Sequence, residues 1–439
     1  MPDPSSYLWE RFGTVGSKVW RQVLAGSWTG PRLVVEAKSR GSSPDALRSA
    51  WDQAWLRGAV ATPVLETDVA LRRPLRVVDL FAGCGAMSLG LRMAAEALGM
   101  TFSPRLCADF EATALDVYVH NFGPAAVYRN DLADAIDFKL STEGTSFARE
   151  PRLLDVRFQE LVGKVDVLIG GPPCQGHSDL NNHSRRADPK NSLYLLMPVF
   201  ARALVPSVVI VENVPTVVHD SLRVVEKTKA LLTSMGYAVT SAVIAMDEIG
   251  IAQRRRRHVL VATRPGRVDL AKTLGTLAAG PRSVCWAISD LADRPRTTNF
   301  NTPSSHSSEN EKRIAWLFKK DRYDLPNPRR PCCHQEKDHS YKSMYGRMRW
   351  DEPAQTITTG FGSPGQGRYI HARRERVITP HEAARLQYLP DSFEFWTDGG
   401  EPRRTKLALM IGNAVPPKLT YVVGLAAISV ALGPQVAPE

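Results

Sequence analysis

Four short apolar runs constrain this chain more than anything else in it: "LRVVDLF" at 75–81, "KVDVLIGG" at 164–171, "PSVVIVENV" at 206–214 and "HVLVATR" at 258–264. None alternates apolar with polar residues, as a strand with one wet face does. Each therefore predicts a strand covered on both sides. "SPRLCADF" at 103–110 reads as one more, and a short strand is expected before "RNDL". Helical patterns lie between them: "AMSLGLRMAAEALG", "EATALDVYVHNFG" and "NSLYLLMPVFARAL". Strand–helix alternation of this kind predicts a doubly wound, mostly parallel α/β sheet.

The regularity stops near Pro265. Residues 266–350 are polar, basic and Pro-rich in places, with no clean period, and predict a second, smaller irregular domain. Helical pattern returns at "TPHEAARLQYL", with Thr379 as N-cap, and at "LTYVVGLAAISVALG". The expected division is 1–73, 74–265, 266–370 and 371–439. Residues 1–73 form a preface whose role the sequence does not assign. In it, "PRLVVEAK" predicts a strand. "SSPDALRSAWDQAWLRG" predicts a helix with Ser43 as N-cap, Pro44 at its first position, and Leu47, Trp51 and Trp55 on one face. Five of the nine tryptophans lie in this preface, which favours a small core or docking on the main body over base stacking. There are no internal repeats.

The formal net charge is +11, with a pI near 9.4, which points to a polyanionic partner. Between Lys312 and Arg349, eleven Lys and Arg stand against four Asp and Glu. No secretory pattern and no uncharged apolar run of about 18 residues is present, so a cytoplasmic protein is expected. The six cysteines (84, 107, 174, 285, 332 and 333) are scattered, which argues against a disulfide framework. Cys332, Cys333, His334 and His339 lack a CxxC pair, so no metal is predicted.

The chemistry gathers at strand ends. Gly83 and Gly85 follow the first strand and precede a helix, a turn that lets backbone approach a ligand. The spacing is not GxGxxG, which weakens a dinucleotide reading. Asp109 ends the second strand, placed to hold ribose hydroxyls, with Phe110 beside it for an adenine; Asp131 follows the third. A ribose acid without a phosphate fingerprint points to a nucleoside lacking pyrophosphate, such as S-adenosylmethionine. Cys174, in "GGPPCQGHS", sits on a turn stiffened by Pro172 and Pro173 and is a candidate nucleophile. Glu212 and Asn213 end another strand, and the C-terminal ends of parallel strands converge on one crevice. In "QRRRR", Gln253, Arg255 and Arg257 alternate at a strand mouth, and an arginine near a thiolate makes it more reactive.

Six blocks in order, "DLFAGCG", "GGPPCQGHS", "ENV", "QRRRR", "RVITPHEAARLQYLPDSF" and "GNAVPP", resemble the C5-cytosine DNA methyltransferases over roughly residues 75–432. The resemblance implies a Rossmann-like methyltransferase fold, S-adenosylmethionine as cofactor, and double-stranded DNA as substrate. It implies a flipped-out cytosine attacked at C6 by Cys174, with Glu212 at N3, Arg257 at O2 and Arg255 near the nucleophile. Phe81, Gly83, Gly85, Asp109, Phe110, Asp131, Leu132, Pro173, Leu193, Asn413 and Ala414 match the cofactor contacts. It makes 74–265 the catalytic and cofactor domain, 266–370 the target-recognition domain, and 371–439 a return to the catalytic domain. Thr356 and Thr358 are expected near the flipped nucleotide. The sequence departs from the pattern at Ala86, His177, His381 and Met410.

A monomer acting with a restriction or defence-system partner is the expected setting. The same blocks leave open an RNA methyltransferase of this fold and a catalytically silent DNA-binding regulator. Intact Cys174, Glu212 and Arg257 weigh against the second. A nucleotide-dependent oxidoreductase fails on the glycine spacing.

Overall fold

The computed structural model describes residues 8–26, 28–64, 72–173, 189–335 and 343–433. Among the described residues the preface holds five strands and a helix: β1 (Leu8–Val15), β2 (Lys18–Ala25), β3 (Trp28–Thr29), β4 (Arg32–Glu36), α1 (Pro44–Leu56) and β5 (Thr62–Val64). They form an antiparallel sheet in the order β1-β2-β4-β5, with β3 paired to β2. The Ser43 side chain accepts from the Ala46 amide and Pro44 opens the helix, as the sequence predicts. Trp28 and Trp51 are buried.

The main sheet is built from β6 (Arg72–Leu80), β7 (Met100–Ala108), β8 (Ala126–Tyr128), β11 (Val167–Gly170), β12 (Val208–Asn213), β13 (Ala238–Ala245) and β15 (Arg256–Thr263). A hairpin, β9 (Ile136–Leu140) and β10 (Phe147–Leu153), and the pair β14 (Gln253–Arg254) and β16 (Ala354–Gln355) stand apart from it. Its order is β13-β15-β12-β11-β6-β7-β8, parallel except for β15, which runs against both its neighbours. The first-strand position falls at β6, where the winding reverses, so the ends of β6, β7, β11 and β12 face one crevice.

Consecutive residues on each central strand enter different cores, which explains why these runs are apolar throughout. Val77, Ile169, Ile210 and Val261 pack in one core with α2 (Ala86–Ala97) and α13 (Pro417–Leu432). Helix α3 (Ala112–Phe122) packs Leu115 and Tyr118 on Cys107 of β7, and Val78, Leu168, Val209 and Leu260 pack in another core with α4 (Val156–Gln159), α5 (Leu196–Leu204) and α6 (Val224–Ser234). Each fully buried aliphatic side chain contributes about 1.5–3 kcal/mol. The segment expected to be helical from Asn191 begins instead as a 3₁₀ turn (Pro189–Leu195).

After β15 come short helices: α7 (Leu270–Thr276), α8 (Val284–Ile288), α9 (Ser308–Lys319) and α10 (Cys332–Gln335), then α11 (Pro380–Leu386) and α12 (Arg404–Asn413). Thr379 caps α11 with Glu382 in a reciprocal capping box. Several arginines of the basic stretch are spent on this region itself. Arg329 stacks on Trp316, Arg347 on Phe318 and Tyr323, and Arg349 on Tyr323. Arg347 also donates to the Ala372 carbonyl at 2.8 Å, and Arg330 to the Leu325 carbonyl at 3.1 Å. Among the described residues no cluster of three or more His, Cys, Asp or Glu suits a metal. The apolar segment Arg404–Leu432 is long enough to cross a bilayer by composition, but 78% of an apolar 18-residue stretch within it is buried inside the protein, as a core helix is.

Helix α13 lies flush on α2 at Gly90, where a Cβ would stand 2.2 Å from the Pro417 carbonyl oxygen and 2.9 Å from the Tyr421 amide nitrogen. Backbone cannot give way there, so Gly90→Ala is expected to cost about 3 kcal/mol. Gly275, in α7, has open space around it, and Gly275→Ala should instead stabilise by about 0.5–1 kcal/mol. Urea denaturation of the two variants checks both signs.

Candidate active site

The loop after β6 is set by backbone geometry. Phe81, Gly83 and Gly85 all take positive φ, at 57°, 53° and 92°. Phe81 is not a glycine, so this is local strain of the kind that collects at functional sites. At Gly85 a Cβ would lie 2.5 Å from the Phe122 ring and 2.8 Å from that of Tyr118, so glycine is required before α2. The Gly83 amide donates to Asp109 Oδ2 at 2.8 Å, and the Glu111 amide to Oδ1 at 2.9 Å. Asp109 thus ties the end of β7 to the glycine loop. Beside it the Phe110 ring is 74% exposed. A carboxylate and an open aromatic face side by side can hold a ribose and a base. The loop "FAGCG" carries no basic residue for a phosphate.

Asp131 is exposed and caps its own 3₁₀ turn, accepting from the Ala133 amide at 2.9 Å, while Leu132 is buried. Pro173 and Leu193 are half-buried. Asn413 ends α12 exposed, and Ala414 is buried after it.

Cys174 and His177 lie outside the described residues, but the turn that leads to Cys174 is held. Asn213 Nδ2 donates to the Pro172 carbonyl at 3.1 Å, and its Oδ1 accepts from the Val214 amide at 2.8 Å. One buried amide therefore joins the end of β12 to the proline turn. Next to it, Glu212 is buried and forms an ion pair with Arg257, Nε to Oε1 at 2.8 Å. Gly171 passes close by: a Cβ there would stand 3.4 Å from Glu212 Oε2. Burial pushes the Glu212 carboxyl above its ordinary range, and the charges of Arg257 and Arg255 pull against that without cancelling it.

Gln253 and Arg255 are buried and Arg257 nearly so, whereas Arg254 and Arg256 face out. The two arginines of the inner row have different surroundings. Arg257 meets Glu212, while Arg255 donates to the Ile357 carbonyl at 2.9 Å and to the Gly412 carbonyl at 3.4 Å. Arg255 is thus a strut between β14 and the segments that follow the basic region. Thr356 and Thr358 are bound to this frame: Thr356 donates to the Arg254 carbonyl at 3.2 Å, and Thr358 pairs with the Tyr369 hydroxyl at 2.8 Å.

Two groups here escape a reading by sequence alone. Gln387 accepts from Gln253 Nε2 at 2.9 Å and from Arg255 at 3.5 Å, and donates to the Ile411 and Ala414 carbonyls at 2.7 and 3.3 Å. Only the polar residue inside the otherwise apolar "RLQYL" hints at it. Asp79, fully buried in β6, accepts from Ser88 Oγ at 2.6 Å, and burial raises its carboxyl to about 7. An acid inside "VVDLF" was the available signal. The departures fit their surroundings: Ala86 and Met410 are buried, and His381 Nε2 pairs with Asp391 at 2.7 Å while the ring stacks on Phe300.

The family profile described as C-5 cytosine-specific DNA methylase matches residues 75–429. The chain is 39% identical to the Type II methyltransferase M1.BsuMI of Bacillus subtilis (strain 168), over 95% of this chain and 94% of that protein. It is 32% identical to the Type II methylase M.HgiDII of Herpetosiphon aurantiacus, over 58% of this chain and 74% of that one. Its fold is similar to the crystal structure of a putative DNA modification methyltransferase encoded within a prophage of E. coli. The TM-score there is 0.52 at 21% identity, covering 81% of this chain and 99% of that one.

The Gln387→Ala variant leaves the Gln253 and Arg255 donors buried with fewer acceptors. It is expected to lower stability by about 2–3 kcal/mol, read from denaturant midpoints at constant m-value.

Proposed function

Because this chain belongs to the C-5 cytosine-specific DNA methylases and so methylates cytosine at C5 in DNA, we propose that Cys174, Glu212 and Arg257 carry the reaction. The observation that supports this reading best is the buried Glu212–Arg257 pair, 2.8 Å apart, beside the Pro172 carbonyl that Asn213 holds.

Cytosine C6 is a weak electrophile, and attack by the Cys174 thiolate sends charge into the ring. A proton held at N3 neutralises that charge, and Glu212, whose carboxyl burial keeps protonated to higher pH than usual, is the group to hold it. Arg257 offers guanidinium N–H groups to O2 from the other side of the same carboxylate. Arg255 supports the site from behind, its Nη1 donating to the Ile357 and Gly412 carbonyls. Flipping the base out is a geometric need, because C5 and C6 are out of a side chain's reach inside a stacked duplex.

S-adenosylmethionine, when bound, supplies an electrophilic methyl group. The residues present suit it. Asp109 takes the ribose hydroxyls, and Phe81 and Phe110 cover the adenine. Gly83 and Gly85 let backbone come close, with Asp131, Leu132, Pro173, Leu193, Asn413 and Ala414 closing the pocket. In this reading residues 74–265 carry catalysis and cofactor, 266–370 read the target, and 371–439 complete the cofactor side. Likeness to two Type II methyltransferases supports a role as the modification half of a restriction–modification pair, working in the cytoplasm.

Transfer of labelled methyl groups to unmethylated duplex DNA, with sites read by bisulfite sequencing, tests the proposal. Cys174→Ser should abolish C5 labelling, and Glu212→Gln should lower it by about a hundredfold or more. A raised carboxyl pKa means the needed proton is present at low pH and lost as pH rises through that value. The wild-type kcat/KM should therefore fall on its alkaline side where the Glu212→Gln profile stays flat. Full labelling by Cys174→Ser, or label found on tRNA and not on duplex DNA, would sink the reading.

A further inference from the structure

The family profile begins at residue 75, yet the preface before it is joined to the body by buried charges. Lys418, second residue of α13, donates to both carboxylate oxygens of Asp52 in α1, at 2.8 and 2.7 Å, and both side chains are at most 2% exposed. The Lys418 ammonium also reaches the Tyr388 hydroxyl at 3.4 Å. Alongside, Arg21 lies on the Trp51 ring at 3.8 Å and on the Tyr421 ring at 4.6 Å. The Tyr421 hydroxyl donates to Glu10 at 2.6 Å, and Glu10 faces Arg48 at 3.5 Å. Asp52 and Glu10 with Lys418 and Arg21, each at most 2% exposed, hold only while all are paired, so α1 and its sheet stay docked.

What the cluster grips is the cofactor side of the fold. Lys418 follows Pro416 and Pro417 directly, and Asn413 and Ala414 stand just before them. The same first turn of α13 lies on Gly90 of α2, and α2 begins at the glycine loop. At the far end of α2, the preface touches again: a Cβ at Gly30 would lie 2.1 Å from the Ala97 carbonyl oxygen. Both walls of the pocket therefore hang on one helical turn, and that turn is anchored from outside the family's own segment.

We propose that Asp52 is a positioning residue for cofactor binding, acting through Lys418 to fix the first turn of α13 and with it Asn413, Ala414 and the glycine loop. The proposal rests on the reading that these groups line the S-adenosylmethionine pocket. Stability alone does not call for an ion pair here, since an apolar pair of similar volume packs as well. What a bidentate pair adds is direction: it sets where the turn stands, as an apolar contact does not.

The test uses the full chain and two ligands, S-adenosylhomocysteine by calorimetry and duplex DNA by fluorescence anisotropy, at a temperature well below unfolding. Asp52→Asn should weaken S-adenosylhomocysteine binding by about tenfold and leave DNA binding unchanged. The double variant Asp52→Leu with Lys418→Met removes both charges and covers the case where Asp52→Asn fails to fold. It should recover the wild-type melting temperature while its S-adenosylhomocysteine affinity stays low. Recovery of both, or equal losses toward DNA and S-adenosylhomocysteine, would show a purely structural pair and overturn the proposal. Asn413→Ala separates the two readings. If it leaves S-adenosylhomocysteine binding intact, the assignment of the pocket fails; if it weakens binding while the double variant does not, the role of Asp52 fails alone.

Discussion

A buried polar knot holds this protein's distant segments in register: the side chains of Gln253, Gln387 and Arg255 and the carbonyls of Ile357, Ile411 and Gly412. The six participants come from four separate stretches of chain: the sheet's arginine strand, the exit from the basic region, the end of α11 and the end of α12. Buried amides and guanidinium groups left unpaired are costly, so the knot is satisfied as a whole or not at all. Gly412 shows how tight it is, for a Cβ there would lie 2.2 Å from the Thr359 amide nitrogen. The glycine of "GNAVPP" is needed because another backbone passes against it.

The site built on this frame uses one device repeatedly. Each group proposed to react or bind is held by a neighbouring group. Asp109 is oriented by the Gly83 and Glu111 amides, the proline turn by Asn213, and Glu212 by Arg257. Fixing the groups in advance means that little reorganisation is left for the moment of reaction.

Much of this was legible in the sequence, for reasons that differ from place to place. The central strands announced themselves because both faces are buried, so their middles are runs of apolar residues and polar ones such as Asp79, Glu212 and Asn213 stand near their C-terminal ends. Ser43 and Thr379 were readable as caps because capping is a contact within three residues. The β1–β2 hairpin was not. Its inward positions include Glu10 and Arg21, which spoil the alternation, and they are tolerated only because Tyr421 and Lys418's neighbourhood, some 400 positions away in the chain, completes their pairing. Gln387 and the strut role of Arg255 were hidden for the same reason: a long-range hydrogen bond leaves no local pattern. The alternation of Gln253, Arg255 and Arg257 showed that they share a side, but not that two of them turn to the core.

The arginines stacked within the basic region bear on how the protein meets DNA. Affinity for a polyanion grows with the number of counterions displaced from it, and only cations free to reach phosphates displace them. Arg329, Arg347 and Arg349 lie on aromatic rings, and Arg330 is engaged by a backbone carbonyl. Formal charge thus overstates the electrostatic grip of this segment. If residues 266–370 read the target, as proposed, their hold on DNA should fall off less steeply with salt than the excess of seven positive charges implies, leaving a larger share of discrimination to shape and to contacts with base edges.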